Sequence, residues 1–303
     1  MRTLLHILAV VVCITLVSCQ KEISFDTGTT TTGGGTGTGG GTGGGSTSGN
    51  LLIKRISNIV TDSIVENYSY NNSKIVRQTF VAKDKSTGSI TEYRRSFQRD
   101  AQGKLTVLKD SVSNAGGGWD VVIGQLYYTS SGNVSHSIST IGTMKVDSVV
   151  YTYTASRVTK VENYVFDYSA GIYQKTEEAE YTYDAYGNIT LVKDYEMMNG
   201  VKTLDQERKY TYDTKASPYN WGQDVIFIGS ANGGRTIIQE DFAGANNATK
   251  IEYIDIAAGA TSGDGAAMTY TYNTGNKPAS GNVSMIMNGN TLPVGGTMQF
   301  FYQ

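Results

Sequence analysis

Carboxylates are the first residues in this chain that could do chemistry. Glu177, Glu178 and Glu180 cluster, and Asp205 and Glu207 are two apart. Glycoside hydrolysis needs two carboxylates held several ångströms apart, one to donate a proton and one to attack or to activate water. A solvated strand face explains the same clusters, and the sequence does not show that any pair meets. Histidine chemistry is narrower. His6 lies in an N-terminal apolar run, so a Ser-His-Asp triad would have to use His136. His136 stands in GNVSHSIST, past an expected turn and in alternating polar company, and reads as an exposed strand histidine. Asp264 in TSGDGAA could touch a cation, but one carboxylate is far short of a calcium site. The Gly-rich run has no lysine and no following helix, so it is not a phosphate loop. No metal and no cofactor is expected. Trp119 and Trp221 each sit beside a glycine at an expected loop, and they are the residues expected to contact a ligand.

The N-terminus supplies the address. Arg2 precedes a mostly apolar run from Leu4 to Val17, which is too short for a comfortable membrane span and the right length for a signal core. It ends in Leu16-Val17-Ser18-Cys19, which resembles a bacterial lipobox. The resemblance implies cleavage after residue 18 and acylation of Cys19. Two or three acyl chains anchor firmly, at about 0.8 kcal/mol per buried CH₂. Gln20-Lys21-Glu22 is similar to the charged signal that sends Bacteroidota-type lipoproteins to the outer surface. With Cys13 in the signal and Cys19 acylated, no disulfide remains within one mature chain. The formal net charge of −2, with no basic stripe, argues against a nucleic-acid partner.

Composition then divides the chain. Residues 1–18 read as the signal, 19–26 as the lipidated N-terminus and 27–50 as a Gly/Thr-rich tether without core-forming residues. Residues 51–303 form one domain in which Tyr, Thr, Val and Ile alternate between glycine-marked turns.

A phrase recurs through that domain. Its second tyrosine, or the residue in its place, falls at Tyr70, Arg99, Tyr128, Tyr153, Tyr183, Tyr212 and Tyr272. The gaps are 29, 29, 25, 30, 29 and 60, so a diverged copy is expected in the last gap, around Tyr253. A period near 29 suits a pair of strands. In Tyr-x-Tyr both rings point to one face, and the rings read either as the core of the sheet or as a sugar-binding ladder. Asp184 starts a turn, and Gly187-Asn188 supply positive-φ positions. Apolar runs at Val225–Ile228 and Met285–Met287 are expected to fill a concave side. Asp62-Ser63-Ile64, Asp110-Ser111-Val112 and Asp147-Ser148-Val149 read as strand residues or as the short O-glycosylation signal of the same bacterial group.

Tyr183-Asp184-x-x-Gly187-Asn188-Ile189 resembles the YD repeat of RHS-type proteins. It is more similar still to Bacteroidota lipoproteins that carry such repeats behind a low-complexity tether, and YTYDTKASPYNWG from Tyr210 is similar to a segment that recurs late in that group. The expected fold is all-β: a repeat-built antiparallel meander forming one large curved, twisted sheet or a partial barrel. The expected function is non-enzymatic binding or scaffolding at the cell surface, with a glycan or a surface protein as partner and the outer membrane held through the lipid. A hydrolase of an extracellular polymer and a purely structural envelope protein are the alternatives.

Overall fold

The computed structural model describes residues 51–114, 117–198, 200–219, 244–256 and 264–303. Cys19, the tether, Trp221 and the run Val225–Ile228 lie outside the described residues. Among the described residues sixteen strands form eight successive pairs. They are β1 (Leu52–Asn58) with β2 (Asp62–Asn71), β3 (Lys74–Asp84) with β4 (Ile90–Arg99), β5 (Leu105–Ser113) with β6 (Trp119–Tyr128), and β7 (Val134–Ile141) with β8 (Met144–Thr154). Then come β9 (Arg157–Asp167) with β10 (Ile172–Tyr183), β11 (Ile189–Met198) with β12 (Val201–Ala216), β13 (Asn246–Asp255) with β14 (Asp264–Tyr272), and β15 (Pro278–Met287) with β16 (Asn290–Tyr302). Every neighbour is antiparallel, and β1 pairs with β16, so the meander closes into a barrel.

The all-β antiparallel meander expected from sequence is present, and its full closure is more specific than a curved sheet or partial barrel. The local cause of closure is a β-bulge repeated in all eight units. Where the repeat tyrosine, or Arg99, faces the start of the next odd strand, that strand carries one extra residue. Tyr183 faces Ile189 while Thr182 faces Leu191, which leaves Thr190 over. A bulge bends its strand and increases the local twist, and eight identical bends complete the circle. The extra residue is often Thr or Ser. Its hydroxyl donates to the facing strand, as from Thr106 to the Gln98 carbonyl, Ser135 to Tyr127, Thr190 to Thr182 and Thr249 to Thr211.

In five of the units the repeat tyrosine ties the pair to its own odd strand. Tyr70 Oη donates to the Leu52 carbonyl at 2.8 Å, Tyr128 to Leu105 at 2.6 Å, Tyr183 to Val158 at 2.7 Å, Tyr212 to Ile189 at 2.8 Å and Tyr302 to Pro278 at 2.8 Å. Tyr302 is thus a further copy, 30 residues after Tyr272. Among the described residues no further strand pair fills the doubled gap before Tyr272: Tyr253 lies on β13, the odd strand of the seventh pair.

Side chains from even strands stack inward in layers. Tyr68, Phe97, Leu126, Tyr151, Tyr181, Tyr210 and Phe300 make one buried row, two residues before the repeat position. Two residues earlier, Glu66, Arg95, Val149, Ala179, Arg208, Met268 and Met298 make another. Odd strands contribute residues three apart, such as Ile75 and Gln78, Leu105 and Leu108, and Ile189 and Val192, because the bulge consumes one position. These rows fill the half of the interior nearest the tyrosine rim. At Met285–Met287 only Ile286 is buried, with both methionines half-exposed, so alternation rather than a continuous run fills that position.

Candidate functional site

Alternation that sends the rings inward sends mostly polar residues outward, with Ile123 and Phe301 among the exposed apolar exceptions. Asn67, Arg77, Arg94, Lys109, Gln125, Lys209, Thr269, Asn282 and Gln299 are exposed mid-strand residues of the outer wall. The interior in turn holds charges. Arg208, 0% exposed, donates from Nε to Asp194 Oδ2 at 2.9 Å and from Nη1 to Tyr210 Oη at 3.4 Å. Arg95 meets Asp110 through Nε at 2.6 Å and Nη2 at 2.8 Å. Arg55 pairs with Glu66 and donates to Tyr219 Oη at 2.7 Å. Tyr219 follows β12 into the interior and meets Tyr68 edge-on, with ring centroids 6.3 Å apart. Buried ions need partners of this kind, since an unpaired charge in a dry interior is costly.

The carboxylates singled out in the sequence separate. Glu178 and Glu180 belong to an outer-wall network with Lys175 and Lys202. Lys175 bridges Glu162 and Glu178, each at 2.5 Å, and Lys202 bridges Glu178 at 2.5 Å and Glu180 at 2.7 Å. Burial opposes ionisation of Glu178, but the two lysines outweigh it and bring its pKa to about 2. Burial likewise opposes the charge on Lys202, and the two glutamates raise its pKa. A carboxylate fixed as an anion is a poor proton donor at neutral pH. Glu207 lies 3.4 Å from Lys193. Glu177 instead accepts from Asn163 Nδ2 at 3.1 Å. It acts on Asp147, two strands away on β8, whose pKa is raised first by burial and then by the Glu177 charge. This inward pair carried no signal in the sequence, because its members are 30 positions apart.

The remaining candidates fall apart spatially. Trp119 is not in a loop: it opens β6, and the Arg94 guanidinium lies 4.1 Å from its ring centroid, so one face is already occupied. His136 is on strand β7, partly exposed, and stacks on Tyr127 at 4.6 Å. Asp264 begins β14, where its carboxylate accepts the Asn288 N–H at 2.8 Å. The three Asp-Ser-Ile/Val stretches lie in strands. Asp110 is taken by Arg95, and Ser148 donates to the Ser137 carbonyl at 3.1 Å. The tyrosine rows are mostly interior rather than a sugar-facing ladder.

No protein family matches this chain, and no curated protein matches it in sequence. The likeness is to barrels. A porin-like protein from Bacteroides uniformis ATCC 8492 superposes with a TM-score of 0.52 at 9% identity, over 83% of this chain and 96% of that one. A porin-like protein from Bacteroides vulgatus ATCC 8482 gives a TM-score of 0.49 at 12% identity, over 84% of this chain and 99% of that one. At such identity the likeness is one of fold.

Proposed function

We propose that this chain is a lipid-anchored barrel that stands in water at the outer membrane and serves as a rigid, non-enzymatic binding or scaffolding module for a glycan or a surface protein. The observation that carries this reading is the direction of its polarity. A barrel that spans a bilayer turns an apolar band about 25 Å tall toward lipid and keeps its polar residues inside. Here Arg77, Arg94, Lys109 and Lys209 stand exposed on the outer wall, while Leu108, Val149 and Val192, each 0% exposed, stand inside. An arginine or lysine near the bilayer midplane costs roughly 2–4 kcal/mol, so several together oppose insertion. Residues lining an open water channel would be wet, and the interior rows near the tyrosine rim are not. The lipobox-like Cys19 supports the anchor, and the regular repeat supports a scaffold.

The test pairs two assays. In planar bilayers the protein should give no conductance steps, and on a glycan array or in surface crosslinking it should capture a ligand. Stable single-channel steps would refute the reading. Asp147 and Glu177 favour a second one, a hydrolase in which Asp147 is the proton donor. Turnover of an extracellular polymer that is abolished by Asp147→Asn in a folded protein would establish it.

A further inference from the structure

The two rims of the barrel differ. At the rim carrying the tyrosine turns, the described turn residues are mostly small or polar, such as Asn72-Ser73, Ser130-Ser131 and Ala155-Ser156, and Tyr186 is the one large apolar side chain standing out of a turn. At the opposite rim apolar side chains stand out of turn after turn. Val60 is 54% exposed, Met144 55%, Tyr168 63%, Ile172 55%, Met198 61% and Val201 63%. Five of the six occupy three consecutive hairpins, β7–β8, β9–β10 and β11–β12. Hairpin stability explains part of this, since Met198 and Val201 are the last ladder pair before their turn. At the tyrosine rim the closing pairs, such as Tyr128 with Val134 and Tyr183 with Ile189, are instead turned into the barrel, where Val134 and Ile189 are buried.

We infer that this apolar rim rests on a lipid bilayer, dipping its hairpin tips into the headgroup region while the polar wall stays in water. Two observations select lipid over a protein. Tips of adjacent hairpins stand two strands apart, roughly 10 Å, so the apolar groups form a spaced arc. A protein hot spot requires a contiguous, fully desolvated cluster, whereas an interface takes up each apolar side chain independently. The second is chain length. β1 begins at the tyrosine rim, so residues 20–50 run from Cys19 to the far end of the barrel. As the tether expected from sequence, those 31 residues reach about 30 Å. Strands of about ten residues tilted near 40° make a wall about 25 Å high. The anchor can therefore stay in the bilayer that the opposite rim touches, leaving the tyrosine rim and the wall open to a ligand.

The inference builds on the anchored reading, and its test separates the two. The chain from residue 19 onward, carrying Cys19→Ser so that no lipid is attached, is floated with phosphatidylethanolamine/phosphatidylglycerol vesicles. It should float with them. The triple variant Met144→Asp, Met198→Asp, Val201→Asp should lower partitioning at least tenfold, and Tyr186→Asp on the other rim should leave it unchanged. Circular dichroism confirms that the variants fold. No flotation of the parent, or equal losses in both variants, would overturn the inference, as would rim-dependent dimerisation without lipid. Palmitate labelling of Cys19 in cells tests the anchor separately.

Discussion

Asp194→Ala should strongly destabilise the barrel. Asp194 is 3% exposed and Arg208 0%, and the guanidinium contacts both carboxylate oxygens, at 2.9 and 3.3 Å. Arginine cannot shed its charge in a protein. Loss of the acid therefore leaves a cation in the interior with the Tyr210 hydroxyl still beside it. Breaking a buried pair from one side costs about 3–5 kcal/mol, a large part of the roughly 5–15 kcal/mol that holds a domain folded. Urea unfolding followed by circular dichroism should show the midpoint fall. The double variant Asp194→Leu, Arg208→Met removes both charges and should recover most of the loss, because a buried pair exchanged for apolar residues of similar volume is often neutral or stabilising. A loss below about 1 kcal/mol in the single variant, the worth of an exposed pair, would refute the claim that this half of the barrel is dry.

Three further outcomes follow from the same structure. Tyr212→Phe removes the hydroxyl that reaches the Ile189 carbonyl and should cost about 1–3 kcal/mol in urea unfolding if that carbonyl is left unpaired. Glu178 is held at a pKa of about 2, below the roughly 4.3 of a free glutamate, so its stabilising share is present above the ordinary value and is lost as pH falls through the folded one. Between pH 5 and 2 the urea midpoint should therefore fall more steeply in the parent than in Glu178→Gln. Gly265→Ala would place a Cβ 1.9 Å from the Ile251 carbonyl oxygen, a backbone atom that no rotamer change can move, so the β13–β14 pairing must open at a cost of about 1–3 kcal/mol or more, read as a lower melting temperature.

The hairpin unit was legible because its signals are local. Tyr-x-Tyr alternation, the Asp184 turn and the Gly187 kink all lie within a few residues, and in the structure Asp184 Oδ1 accepts the Tyr186 and Asn188 N–H groups at 2.8 and 2.9 Å. The bulge had a signal that went unread: a Thr or Ser directly after the first apolar residue of an odd strand, as in Leu105-Thr106, Val134-Ser135 and Ile189-Thr190. Closure was not legible, because it depends on β1 meeting β16 across the whole domain and no local pattern reports that pairing. The interior ion pairs were half visible. Glu66, Arg95 and Arg208 each precede the inward ring by two positions, so strand parity alone places them inside, against the habit of assigning charges to solvent. Their partners Arg55, Asp110 and Asp194 follow only from the register. Trp119, expected at a ligand-contact loop, is a strand residue with Arg94 on its face, and that cross-strand neighbour follows only from the register.

The central claim is that the outer wall faces water. A fluorophore at Lys109→Cys, on lipidated protein in vesicles whose acyl chains carry bromine, tests it directly. The account predicts fluorescence unchanged by the brominated lipid, with the probe accessible to a water-soluble quencher. Strong quenching by bromine, with protection from the aqueous quencher, would place the wall in the bilayer and contradict it.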